Sequence, residues 1–337
     1  MAASAILRVE KLKKYFPVKS LPFSRKRSFL KAVDDVTFTL HAGETLGIVG
    51  ESGCGKTTVG RTIMRIYEPT SGQCWWRVGD SAETMEDFFC YKNAQMRRIR
   101  HQIQMIFQDP YASLNPRMTV QDIISEGLKA NGLVSGGREM INTVADIMEK
   151  VGLLPEYMKR YPHEFSGGQR QRIGIARVIV MRPKVVICDE PVSALDVSVQ
   201  AQIINLLEDL RSEFGLTYLF IAHDLSVVKH ISDRIAVMYL GKIVEKTDTD
   251  RLFEAPLHPY TQGLLQAIPV PDPHQRKSGH RMLIAGDIPS PIDPPEGCRF
   301  VKRCSKAMDR CRVETPALLE VREGHEVACF LYPNPRE

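Results

Sequence analysis

Ile6 to Glu10 alternates apolar and polar side chains, and Ala32 to Leu40 does so again. Each run predicts a strand with one covered face. Thr45 to Val49 (TLGIV) differs: it is a continuous apolar run closed by Gly50, the pattern of a strand buried on both faces. A glycine-rich turn and a helix follow. Ile103 to Phe107 predicts another short strand. Ile123, Ile124 and Leu128, then Val144, Ile147, Met148 and Val151, recur at helical spacing between Val120 and about Met158, with a break at Gly136-Gly137. A basic helix is predicted after Ser166 to about Met181. Val185 to Cys188, Thr217 to Ala222 and Ile235 to Tyr239 read as strands, and Ser198 to Phe214 as an amphipathic helix between them. Strands alternating with helices predict an α/β fold with a mainly parallel sheet covered on both faces. Residues 73 to 95, with Trp75 and Trp76 adjacent, fit neither period.

The pattern changes near Arg251. Nine of the 21 prolines lie between Pro256 and Pro295, which predicts an irregular connection. The expected organisation is one large domain over residues 1–250, with helical character at about 115–180, and a smaller region over 251–337. No run approaches the length of a membrane-spanning helix. Met1 to Glu10 lacks the apolar core of a secretory signal. The net charge of +5 is that of an ordinary slightly basic surface and gives no ground for nucleic-acid binding. Eight Lys or Arg and no acid lie between Lys11 and Lys31, the composition of a solvated loop, with contact to anionic lipid as the alternative.

Gly50 to Thr58 (GESGCGKTT) fits G-x-x-x-x-G-K-[ST] and lies between a predicted strand and a predicted helix, as a phosphate-binding loop requires. Here the backbone of Gly50, Ser52, Gly53, Cys54 and Gly55 can turn its N–H groups toward phosphate oxygens, and the helix N-terminus adds its dipole. Lys56 is placed to bridge the β- and γ-phosphates, Thr57 to hold Mg²⁺ and Thr58 to reach the α-phosphate. Val185 to Glu190 (VVICDE) supplies two carboxylates at a strand end. Asp189 can bind Mg²⁺ through water, and Glu190 can polarise an attacking water as a general base. Phe165 to Gln169 (FSGGQ) opens the basic helix. There Ser166, Gly167, Gly168 and Gln169 form a second anion site at a helix start.

In this order the segments resemble the ATPase subunits of ABC transporters. FSGGQ is similar to the family signature L-S-G-G-Q, with Phe165 in place of leucine. The resemblance implies that the signature of one subunit caps the ATP held by the P-loop of another. It also implies that Gln108, in MIFQDP, reaches Mg²⁺ and the attacking water, and that a groove near it receives a helix from a membrane subunit. Ser193 to Asp196 (SALD) resembles the D-loop, His223 the switch histidine that contacts the γ-phosphate, and Phe16 the aromatic that stacks on adenine, with Tyr15 as the alternative. The implied fold is a P-loop ABC ATPase domain with an antiparallel β subdomain and a helical subdomain.

The resemblance continues past residue 250. Leu257 to Thr261 (LHPYT) and Gly297 to Cys304 (GCRFVKRC) look like the C-terminal extension of oligopeptide and dipeptide importer ATPases, specifically the second ATPase subunit of such importers. The partners implied are a second, homologous ATPase subunit, two membrane permease subunits and an extracytoplasmic substrate-binding protein. The implied location is peripheral, on the cytoplasmic face of the cell membrane. The same branch contains importers of nickel, glutathione and oligosaccharides. A soluble ABC ATPase acting on DNA or the ribosome is the remote alternative. Of the eight cysteines, Cys298, Cys304, Cys311 and Cys329 crowd the C-terminal region with spacing C-x₅-C-x₆-C-x₁₇-C. Such a set suggests a metal site. A [4Fe–4S] cluster, carried by some relatives in this branch, is the expectation, with zinc or free thiols as alternatives.

Overall fold

The computed structural model describes residues 4–18, 28–79, 84–134, 136–267, 286–287, 289–294 and 296–332. Much of the basic run, part of the tryptophan segment and most of the proline-rich connection lie outside the described residues. Twelve strands are described: β1 (Ala5–Val18), β2 (Ser28–His41), β3 (Thr45–Val49), β4 (Ser71–Arg77), β5 (Met85–Asp87), β6 (Ile103–Ile106), β7 (Val185–Asp189), β8 (Thr217–Ile221), β9 (Arg234–Tyr239), β10 (Lys242–Asp248), β11 (Leu319–Arg322) and β12 (His325–Val327). No described helix is long and apolar enough to cross a membrane.

The chain forms two compact units. One is drawn from Met1–Leu7, Leu40–Thr45 and Trp75–Ile221. Its sheet strands β6, β7 and β8 are parallel neighbours, with Ile106 opposite Cys188 and Asp189 opposite Ile221. Every residue of β7 and β8 is buried, as their unbroken apolar runs require. The helices Val120–Asn131, Gly137–Lys150 and Gly167–Ile179 belong to this unit. The first begins where the Thr119 hydroxyl accepts from the Asp122 amide at 3.2 Å, and it ends at Gly132 with φ 63°. All seven apolar positions expected to share a helical face here, Ile123, Ile124, Leu128, Val144, Ile147, Met148 and Val151, are buried. The tryptophan segment resolves into β4 and β5, with Trp75 opposite Asp87 and Trp76 opposite Glu86. Trp76 is 1% exposed and anchors β4, whereas Trp75 is half-buried.

The second unit is drawn from Arg8–Thr39, Leu46–Cys74 and Ala222–Glu337. Here β3 runs parallel to β9, while β9, β10, β12 and β11 follow as antiparallel neighbours. Leu240 (φ 41°) and Gly241 (φ 83°) make the two-residue turn between β9 and β10. Such left-handed pairs match the strand twist of a tight hairpin. The Gly241 turn then meets the loop before the helix Lys56–Ile63: its amide donates to the Cys54 carbonyl at 2.8 Å, and its carbonyl accepts from the Asp34 amide at 2.8 Å.

Candidate active site

The phosphate loop sits between β3 and the helix Lys56–Ile63, where its motif required it. Its glycines are fixed by sterics. A Cβ on Gly50 would lie 2.1 Å from the Met238 carbonyl oxygen, and one on Gly55 would lie 2.0 Å from that of Ala32. Gly53, at φ 77°, has open space around it. The loop is therefore held close to protein on one side and is open on the other. Lys56 is 4% exposed, and its ammonium donates to the carbonyls of Gly50 at 2.8 Å and Glu51 at 3.1 Å. A cationic centre enclosed by a glycine-lined loop at a helix N-terminus fits a nucleotide triphosphate. Cys54 packs beneath the loop, and burial pushes its thiol up. Thr57 and Thr58 are half-buried in the first helical turn, and Ser52 is exposed.

The same unit holds Phe16, Tyr15 and His223. Phe16 is half-buried, meets Tyr67 edge-to-face at 5.4 Å and lies 4.8 Å from the Lys14 ammonium. Tyr15 is committed elsewhere: its hydroxyl donates to Asp34, which also receives Arg299. Burial would raise the Asp34 carboxyl, but the Tyr15 hydroxyl and Arg299 outweigh it and hold the group low. His223 is exposed just past the end of β8, before the helix Leu225–Ile231 that Asp224 caps.

The other unit brings Gln108 and Glu190 together. The Gln108 amide donates to a Glu190 carboxylate oxygen at 3.0 Å. Gln108 follows β6, and Glu190 follows β7 directly. Glu190 adopts φ 46°, a left-handed conformation uncommon for a non-glycine residue. Its amide donates to the Ile221 carbonyl at 2.9 Å, which fixes the backbone that presents the carboxylate. Asp189 ends β7 fully buried. In this unit Asp189 and Gln108, and in the other Thr57, each offer oxygen atoms, the donor type that Mg²⁺ takes.

Ser166 caps the helix Gly167–Ile179 reciprocally with Gln169: its hydroxyl accepts from the Gln169 amide at 3.3 Å, and the Gln169 side chain accepts from the Ser166 amide at 3.0 Å. Phe165 is buried, so the apolar position of the motif anchors the loop while Ser166 stays exposed. Gly168 has a packing reason as well, because a Cβ there would lie 2.6 Å from Val199. Gly167 lies on Leu195. Asp196 is exposed and accepts from the Val199 amide at 2.9 Å, starting the helix Val197–Phe214; the Ser198 hydroxyl and that amide hold its carboxyl low.

The expected metal centre at the cysteines does not hold. Cys298, Cys304, Cys311 and Cys329 do line one cavity, but it measures about 10 Å³. That is room for about one water molecule, far too little for an iron–sulfur cluster. Among the described residues no group of three or more His, Cys, Asp or Glu side chains is placed to hold a metal ion. Burial pushes the Cys298 thiol up to about 11 and raises those of Cys304 and Cys329. The expected iron–sulfur cluster therefore does not fit the cavity that these four residues line.

Around the phosphate loop lie residues whose place there the sequence pattern does not announce. The Glu51 amide donates to the Tyr260 hydroxyl at 2.9 Å. The Glu51 carboxylate receives both terminal nitrogens of Arg303, at 2.7 and 2.9 Å. Tyr260 and Arg303 belong to the LHPYT and GCRFVKRC segments, 209 and 252 residues from Glu51 along the chain. Nothing in their local pattern signals that distance being closed.

Residues 33–193 match the ABC transporter family, and residues 244–311 match the oligopeptide/dipeptide transporter C-terminal region. The chain is 52% identical to the oligopeptide transport ATP-binding protein AppF of Bacillus subtilis, over 97% of each chain. It is 50% identical to the oligopeptide transport ATP-binding protein OppF of Salmonella typhimurium, over 96% of each. Among solved structures it resembles cbiO1 of Clostridium perfringens, part of the ABC transporter complex cbiONQ, at 26% identity and a TM-score of 0.60, covering 75% of this chain and 92% of that one. The ATP-binding cassette MJ0796, in a dimeric post-hydrolysis state bound to ADP and Pi, shares the fold at 23% identity and a TM-score of 0.62, over 72% of this chain and 99% of that one.

Proposed function

This chain belongs to the ATP-binding subunits of ABC transporters, in the branch of the oligopeptide transport ATP-binding proteins, and we propose that it hydrolyses ATP to power uptake of small peptides through partner membrane subunits. The observation that carries the catalytic part is Glu190, with its carboxylate aimed by Gln108 at 3.0 Å and its backbone held at φ 46°. A carboxylate with a fixed direction can take the proton of an attacking water as it adds to the γ-phosphorus and the bond to the bridging oxygen of the departing ADP breaks. Lys56 would leave its two carbonyl partners for the β- and γ-phosphate oxygens. Thr58 and the loop amides of Gly50, Ser52, Gly53, Cys54 and Gly55 would hold the remaining charge. His223 would meet the γ-phosphate. Mg²⁺, arriving with the nucleotide and held by Thr57, Asp189 and Gln108, would neutralise phosphate charge. Phe16 is favoured over Tyr15 for stacking on adenine, since the Tyr15 hydroxyl is tied to Asp34.

The signature, Ser166 to Gln169, with Asp196 of the D-loop, would cap the nucleotide of a second, homologous ATPase subunit. Tyr111, 62% exposed three residues after Gln108, is a suitable contact for a permease helix. Residues 1–250 would form the nucleotide-binding domain and 251–337 the importer-type extension. The subunit would sit peripherally at the cytoplasmic face of the membrane, with a substrate-binding protein outside. Within the assembled transporter, Glu190→Gln is expected to bind MgATP but hydrolyse it at least about 100-fold more slowly, the usual scale of general-base loss. Hydrolysis at the wild-type rate would remove Glu190 from the mechanism.

A further inference from the structure

We propose that Arg303 and Tyr260 are positioning residues for the phosphate loop, by which the C-terminal segment sets the loop's affinity for a nucleoside triphosphate. The inference rests on the nucleotide reading of Gly50 to Thr58.

Glu51 is the second residue of the loop, and three groups hold it. Its amide donates to the Tyr260 hydroxyl at 2.9 Å, its carbonyl accepts from Lys56 at 3.1 Å, and its carboxylate is gripped by both terminal nitrogens of Arg303. The grip is largely enclosed, with the Arg303 side chain 7% exposed and that of Glu51 21%. A two-pronged guanidinium–carboxylate pair fixes direction as well as distance. Tyr239 backs it, its hydroxyl accepting from Arg303 at 3.4 Å. The far end of the loop is held in parallel. The Cys54 carbonyl accepts from Gly241, and Arg299 donates both to the neighbouring Leu240 carbonyl and to Asp34. Arg299 and Arg303 both come from the GCRFVKRC segment. The segment thus reaches both ends of the loop that Lys56 closes.

The support beneath these side chains is an aromatic cluster. Tyr260 packs on Tyr239 at 4.6 Å and on Phe300 at 5.4 Å between ring centres, and Phe300 meets Tyr239 edge-to-face at 5.3 Å. A shift of this aromatic cluster would carry Tyr260 with it and move the Glu51 amide. Preset donors bind phosphate more tightly than donors that must be ordered on binding.

The test is titration of full-length wild type and of Arg303→Ala, Arg303→Lys and Tyr260→Phe with a fluorescent ATP analogue and Mg²⁺. ATPase KM and kcat are measured in the assembled transporter, and each variant's melting temperature is recorded. The expected result is about a tenfold rise in Kd and KM for Arg303→Ala, equal to about 1.4 kcal/mol. A smaller rise is expected for Tyr260→Phe, incomplete rescue by lysine, and a kcat changed far less than KM. Combining Glu51→Gln with Arg303→Ala should add little to either alone. Unchanged affinity in both Arg303→Ala and Tyr260→Phe, whatever their melting temperatures, overturns the inference while leaving the nucleotide reading standing. A wild-type chain that binds no nucleotide overturns both.

Discussion

At Gly55 the chain passes into a helix at φ 107°, and the place a methyl group would occupy lies 2.0 Å from the carbonyl oxygen of Ala32. A Cβ has no rotamer, so the strain cannot be relieved by the side chain. The backbone must move, either in the loop or in β2. A left-handed residue alone costs about 1–2 kcal/mol, and the collision adds to it. Gly55→Ala is therefore expected to lower the melting temperature by several degrees. It should abolish MgATP binding in calorimetric titration while leaving the helical circular dichroism intact. Full-strength binding would mean that the loop tolerates a reshaped entry. Glycines of this kind are legible in the sequence, because the motif's spacing states where they must stand. The left-handed backbone of Glu190 is not, since no glycine or asparagine marks it. Nor is the cysteine cavity. Spacing along the chain puts four thiols close together, whereas a cluster needs a volume between them that only the fold decides.

The helix Pro259–Gln266 shows what the H-P-Y pattern is for. His258 caps it, with Nδ1 accepting from the Tyr260 amide at 3.1 Å, and Pro259 fills the first helical position, where no amide partner is needed. Tyr260 is left to point at the phosphate loop. Beneath the cap, the Glu245 carboxylate accepts from the Leu257 amide at 2.7 Å and the His258 amide at 2.9 Å, and it meets His325 at 2.7 Å. Burial pushes the His258 imidazole down to about 4, although Glu245 pulls the other way. The folded state therefore resists a proton that the unfolded chain accepts near pH 6.5. The contribution is complete above that pH and is lost as pH falls toward 4, by roughly 3 kcal/mol. Asparagine can cap the same helix without titrating. His258→Asn is expected to lower stability at about pH 7.5, and its deficit against wild type in urea unfolding should shrink as pH falls to about 4.5. A deficit constant across that window would show that His258 is not the titrating group. The sequence pattern misses β10 for a related reason: Glu245, buried in the sheet, reads as a polar position.

For the whole molecule, the long buried strands and the helical periods are legible because burial writes its period into the chain. The C-terminal region is less so, since the short strands, the Tyr260–Phe300 aromatic contact and the polar contacts such as Arg303 to Glu51 that hold it leave no long apolar period in the chain. The signature works at the scale beyond one chain. Ser166 is exposed at the start of a 13-residue helix, and its hydroxyl and the Gln169 side chain already satisfy each other's amides. Capping of this kind is complete without a ligand, so the helix start can face a phosphate supplied by another subunit. If it does, a bulky cation there should block assembly and spare the chain's own nucleotide binding. Ser166→Arg, placed in the Glu190→Gln background, is expected to bind MgATP with wild-type affinity. It should fail to form the ATP-dependent dimer that Glu190→Gln forms with its co-expressed second ATPase subunit, as measured by light scattering. Loss of binding in the isolated chain would instead make Ser166 part of the chain's own site, and an undiminished dimer would remove the signature from the interface.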